Sequence, residues 1–175
     1  MEGLGVEKDV AQGLQLLEST ASMGFAAAQC DLGLCYEVGD VVPKDPQKAV
    51  ELYRLAAEQD YAPAQCNLAT CCQVGFGTEQ SSSQAVELIQ QALEQRFPRA
   101  FRLMGDCYYH GLGMEVDMEQ AAAWYRKGVD SGYVPALAAL GLCYEMGEGV
   151  LQDKEKAAQL YRQGAEQGDA TAQCD

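Results

Sequence analysis

Residues 136–168, ALAALGLCYEMGEGVLQDKEKAAQLYRQGAEQG, decide the fold, because their pattern returns upstream at a fixed distance. Ala136 has counterparts at Ala28, Ala64, Ala100 and Ala172, always 36 residues apart. Gly141 answers to Gly33, Ala69 and Gly105; Cys143 to Cys35, Cys71 and Cys107; Tyr144 to Tyr36, Cys72 and Tyr108. A glycine column follows at Gly39, Gly75, Gly111 and Gly147, with Gly3 as its earlier copy. Ala49, Ala85, Ala121 and Ala157 form a further column, and so do Tyr53, Ile89, Tyr125 and Tyr161. No insertion breaks the register, and so many columns at one period are the signature of a repeat protein. The chain divides into a partial repeat 1–25, full repeats 26–61, 62–97, 98–133 and 134–169, and a partial repeat 170–175.

Each repeat reads as two helices. Ala28, Leu32, Cys35 and Tyr36 fall at i, i+4, i+7 and i+8, an apolar stripe on the first helix. Gly39 follows, where a left-handed C-cap is expected. Asp45 then precedes Pro46, an N-cap followed by proline at the first helical position. Ala49, Leu52, Tyr53, Ala56 and Ala57 make the stripe of the second helix. Asp9, Asp117 and Asp153 repeat the cap and Ser81 substitutes for it, so these residues read as caps and not as catalytic acids. Small residues in the Gly33 and Ala49 columns let helices approach closely, and the tyrosines fill the space between layers. One helix pair cannot bury its apolar faces alone, so neighbours stack into an all-α, α/α solenoid superhelix of helix-turn-helix repeats.

The pattern Ala-x-x-x-Leu-Gly-x-x-Tyr-x-x-Gly-x-Gly-Val, then Asp, then Lys-Ala-x-x-x-Tyr-x-x-x-Ala, resembles the Sel1-like repeat, a relative of the tetratricopeptide repeat. Ala136, Leu140, Gly141, Tyr144, Gly147, Gly149, Val150, Asp153, Lys156, Ala157, Tyr161, Ala165 and Gly168 carry the resemblance. The third repeat departs most, with Cys72, Thr78, Ser81 and Ile89 at pattern positions, and its loop is expected to be more mobile. The resemblance implies a scaffold or adaptor. One cysteine-rich branch of the family ties its helix pairs with disulfides and is linked to β-lactam hydrolysis. Here no cysteine falls on a second helix and no Ser-x-x-Lys occurs, so that hydrolase stands only as an alternative.

Charge narrows the partners. The chain has 26 acidic against 12 basic residues, a formal charge of −14. That excludes a nucleic-acid module, argues against anionic membrane surfaces, and no stretch approaches the ~20 apolar residues of a membrane helix. The N-terminal residues show no signal peptide. The Cys35, Cys71, Cys107, Cys143 column stacks at about a helix-packing distance, ~8–10 Å, too far for disulfides. Cys30 and Cys66 lie about 140° around the helix from Cys35 and Cys71, which suits neither a bridge nor a chelate. With a single histidine in the chain, neither a metal nor a cofactor is expected, and free thiols point to a reducing, cytoplasmic compartment. The paired loop glycines, such as Gly147 and Gly149, follow helices and not strands, so they read as turns and not as phosphate loops.

The face of each first helix opposite its stripe varies between repeats, as a recognition surface does. In tetratricopeptide-like solenoids this face lines the concave groove. Its residues are Cys30, Leu34, Glu37 and Val38; Cys66, Thr70, Gln73 and Val74; Arg102, Asp106, Tyr109 and His110; and Leu142, Glu145 and Met146. Glu37, Asp106 and Glu145 set against Arg102 favour a basic or amphipathic peptide or helix. Asp106 and His110 at i and i+4 lack a nucleophile, so they read as a binding patch and not as a catalytic pair. The expected function is a non-enzymatic protein-interaction scaffold. A purely structural window of a longer solenoid is the remaining alternative, since the register opens in a loop at Gly3 and closes in a helix start at Ala170. Uncapped ends of that kind would also favour self-association.

Overall fold

A computed structural model describes residues 10–168. Among them the chain forms α1 (Val10–Ser22), α2 (Ala26–Val38), α3 (Pro46–Ala57), α4 (Ala62–Val74), α5 (Ser82–Glu94), α6 (Pro98–His110), α7 (Met118–Asp130), α8 (Pro135–Met146) and α9 (Lys154–Glu166), with no strand. Each helix packs on the next, and the first helices α4, α6 and α8 also touch one another across repeats. That pattern is an α/α solenoid, one hairpin per repeat. Asp9, Gly3 and residues 170–175, read above from the sequence, lie outside the described residues.

Local chemistry sets the helix ends. The side chains of Asp45, Ser81, Asp117 and Asp153 accept from the backbone N–H three residues on, at the start of α3, α5, α7 and α9. Each cap satisfies one of the four orphan donors of a helix N-terminus. Gly39, Gly75, Gly111 and Gly147 end α2, α4, α6 and α8 in the left-handed region, φ 69–82°. The third-repeat loop shares the left-handed second glycine of the two later repeats, with Gly77 at φ 66° against Gly113 at 75° and Gly149 at 70°. The second loop glycine also locks one repeat to the last. A Cβ on Gly113 would stand 2.8 Å from the Ser82 carbonyl oxygen, and one on Gly149 would overlap the Met118 carbonyl.

Side-chain size is matched within each hairpin. A Cβ on Gly33 would lie 2.7 Å from the Tyr53 ring, and one on Gly141 2.6 Å from the Tyr161 ring. The third repeat has Ala69 and Ile89 instead, both fully buried: the larger residue on one helix accompanies the smaller on the other. A second contact varies without that matching, since the fourth repeat keeps Tyr108 but has Gln120 where the second and fifth have lysine. The Tyr36 and Tyr144 hydroxyls accept from Lys48 and Lys156. The third repeat has Cys72 there, donating weakly to Gln84 at 3.6 Å.

Among the described residues the cysteines occupy only first helices and are all free thiols. Cys71, Cys107 and Cys143 are buried as the stripe predicts, but Cys35 is half-exposed. Gln73 of the preceding repeat donates to Cys107 Sγ at 3.3 Å. Cys30 and Cys66 correct the expectation of a face turned away from the core: they are 5% and 0% exposed. Asn67 of the next repeat covers Cys30, its Nδ2 donating to Sγ at 3.5 Å. Burial pushes the thiols up, to about 11 for Cys30, Cys107 and Cys143 and to about 12 for Cys66 and Cys71.

Candidate functional site

The variable face of the first helices divides into two parts. One is a row of exposed apolar side chains at or near the helix C-termini. Val38, Val74 and Met146 are 57%, 68% and 59% exposed, with exposed His110 between the last two. Leu34 and Leu142 sit one turn back, 48% and 40% exposed. Uncovered aliphatic residues recurring every 36 positions form a discontinuous apolar rail and not scattered surface leucines.

The other part is polar and largely engaged. The Tyr53 hydroxyl donates to Glu37, and the Tyr161 hydroxyl donates to Glu145 Oε2 at 2.8 Å. In the fourth repeat Tyr109 stands where Glu37 stands, and Tyr125 turns to Asp106 instead, donating to Oδ1 at 2.9 Å. Tyr109 donates forward to Glu148 Oε2 at 2.6 Å, and this bond, with burial behind it, pushes its phenol up to about 12. Thr70 donates to the Cys66 carbonyl and accepts from Arg99, while Gln73 is spent on Cys107. Thr70 and Gln73 therefore serve the helix stack more than a free surface.

The fourth-repeat residues do come together. Arg102, Asp106, Tyr109 and His110 of α6 face Pro135, Ala138, Ala139 and Leu142 of α8 around a pocket of about 310 Å³ with Tyr125 on its wall. Asp106 is held 3.4 Å from Arg102 Nη2, the one ion pair among the described residues. Burial raises the Asp106 carboxyl more than Arg102 and the Tyr125 hydroxyl lower it. His110 packs edge-on against Tyr109, ring centroids 4.9 Å apart.

The sequence columns missed the far wall of this pocket. Pro135, Ala138 and Ala139 are small, and the cavity arises from what they lack. They also missed Arg99, a second cation on this face, and Glu148, an acid at its rim. Elsewhere lysines are held by rings: Lys127 stands 3.6 Å from the Trp124 centroid, and Lys48 and Lys156 stand 4.2 Å from Tyr36 and Tyr144. Among the described residues most carboxylates have no basic side chain within ion-pair distance. Among the described residues no group of His, Cys, Asp and Glu is placed to hold a metal ion.

These features have counterparts. The Sel1 repeat profile matches residues 1–25, 26–61, 62–97, 99–133 and 134–169. A protective antigen of uropathogenic Escherichia coli with this fold is 34% identical, TM-score 0.76, over 98% of this chain and 37% of that one. The chain thus spans little more than a third of that relative's length. A Sel1 repeat protein from Oxalobacter formigenes is 31% identical, TM-score 0.77, over 94% of this chain and 72% of that one. An immunity protein from Pseudomonas aeruginosa shares the fold at 24% identity, TM-score 0.68, over 93% and 60% of the two chains. A search of curated protein sequences found no significant match. Five consecutive matched units, four of them described as capped helix pairs, make the assignment plain: the chain belongs to the Sel1 repeat family.

Proposed function

We propose that this chain is a non-enzymatic protein-interaction scaffold whose first-helix face binds a basic amphipathic peptide or helix. The family generally serves as scaffold, and the immunity protein among the structural neighbours is consistent with a protein-binding role. The observation that carries the reading is the apolar rail of Val38, Val74 and Met146 beside carboxylates that lack basic partners. An amphipathic segment would bury its apolar face on the rail and present cations to Glu37, Glu145 and Glu148. At a formal charge of −14, long-range steering also favours a basic partner. Buried free thiols suit a reducing compartment, and we place the protein there as part of this proposal. No helix is long and apolar enough to cross a membrane among the described residues. Nothing in the geometry favours the hydrolase alternative.

The test is anisotropy with labelled amphipathic helical peptides of leucine and lysine, against the same peptides with glutamate for lysine. The lysine peptide should bind, weaken as salt rises, and lose at least tenfold affinity on a Val38→Ser, Val74→Ser, Met146→Ser chain. Equal binding of both peptides, or an indifferent triple variant, refutes the groove.

A further inference from the structure

We infer that the pocket between α6 and α8 receives an arginine side chain of the partner segment, with Asp106 accepting from its guanidinium; this rests on the scaffold reading above. The chain carries its own template one repeat earlier. Arg99, near the start of α6, reaches back over α4, where its Nη1 donates to Asn67 Oδ1 and its Nη2 to Thr70 Oγ1 at 3.3 Å. A shift of 36 residues puts Pro135 in the place of Arg99, Leu103 in that of Asn67 and Asp106 in that of Thr70. Proline has no side chain that can cross to α6, and Ala138 and Ala139 stand where Arg102 and Leu103 stand. The space that a guanidinium occupies at one junction is left open at the next, about 310 Å³. At the same step the acceptor changes from a neutral hydroxyl to a carboxylate.

The chemistry of the open junction suits that occupant. Asp106 has one hydrogen bond, from Tyr125, and one long ion pair with Arg102, so its two oxygens retain acceptor capacity. Burial outweighs both partners at this carboxyl, which a second cation would relieve. Arg102 and His110 are the opposing groups in the pocket. Against them Tyr109 on the pocket wall is bonded to Glu148, a second carboxylate beyond the lining, which adds to the negative charge that an arriving guanidinium meets. The methylene stem would lie along Ala138 and Leu142, and the guanidinium plane against Tyr109. A lysine ammonium can offer neither the plane nor the fork.

Titration of the isotope-labelled chain with N-acetyl-arginine methylamide, followed by amide shifts, tests the pocket alone. Saturable shifts should concentrate in α6 and α8, and the neutral isostere N-acetyl-citrulline methylamide should bind at least tenfold more weakly. Pro135→Arg, which supplies the chain's own arginine as Arg99 does, should abolish the response, and Asp106→Asn should reduce it at least tenfold; thermal melts establish that both variants are folded. In the lysine peptide, one arginine replacing the lysine nearest Asp106 should gain affinity that Pro135→Arg removes. Equal binding of arginine and citrulline, or an unaffected Pro135→Arg chain, overturns the assignment. If capped arginine fails while the lysine peptide still binds, the pocket falls and the groove stands; if capped arginine binds and no peptide does, the groove falls.

Discussion

Replacing Gly33 by alanine should destabilise the protein, although alanine is the better helix former. Its Cβ would stand 2.7 and 2.9 Å from two carbons of the Tyr53 ring and 3.3 Å from the Ala49 carbonyl oxygen. Tyr53 is fully buried and cannot swing aside. Overpacking of this kind costs up to about 3 kcal/mol, and the gain in helix propensity offsets about 1 kcal/mol, leaving a net loss of about 1–2 kcal/mol. For a chain of this size that is about 2–8 °C in melting temperature. The third repeat indicates the remedy, because Ala69 there meets Ile89. In a Tyr53→Ile background the obstacle is gone, so Gly33→Ala should become neutral or stabilising by up to about 1 kcal/mol. The four proteins form a double-mutant cycle with a coupling of about 2 kcal/mol, read from urea midpoints and circular-dichroism melts. A coupling below about 0.5 kcal/mol would mean that the two columns are not matched to each other, and the packing argument would fail.

Other perturbations test other levels. Asp117→Ala removes the acceptor for the Gln120 N–H and should cost about 1 kcal/mol, measured by the same melts, with Asp117→Ser recovering most of it. Gly149→Ala places a Cβ on the Met118 carbonyl at a φ of 70°, so hydrogen exchange should report loss of protection in α8 and α9 ahead of α4 to α6. The buried thiols make stability fall at alkaline pH. Unfolded thiols lose their protons near pH 9 while Cys30, Cys66, Cys71, Cys107 and Cys143 keep theirs to about 11–12. Above pH 9 the unfolded state therefore holds fewer protons, and the melting temperature should decline from there upward while staying flat below about pH 8. Alkylation of the native protein near neutral pH should modify half-exposed Cys35 before the buried thiols, read by peptide mass mapping.

Whatever depends on a few consecutive residues was legible in the sequence. The aspartate and serine caps and the left-handed glycines follow from backbone donors and Cβ sterics within one turn, so a single repeat suffices to read them. The patch of Arg102, Asp106, Tyr109 and His110 was legible too, since helical spacing alone puts those side chains on neighbouring faces of α6. Contacts between repeats were harder. Cys30 and Cys66 read as turned away from the core, yet both are buried in it, Cys30 beneath Asn67 of the next repeat. The pocket escaped for the converse reason. It exists because Pro135, Ala138 and Ala139 fail to reach across, and an absent reach leaves no pattern in a column of letters.

The paired substitutions within each hairpin bear on how such a chain can change length. Gly33 with Tyr53 and Ala69 with Ile89 are matched inside one repeat. A crossover in the loop between the two helices of a hairpin would splice Ala69 onto a tyrosine, or Gly33 onto an isoleucine, producing a clash in one product and a void in the other. A crossover between hairpins keeps those internal pairs intact and re-pairs only junction contacts, such as Gly113 on the Ser82 carbonyl, Arg99 with Asn67 and Gln73 with Cys107. Whole hairpins are therefore the units whose internal packing survives duplication, deletion or exchange, and a library built by shuffling them at residues 61–62, 97–98 and 133–134 should yield folded chains more often than one cut at the inner loops.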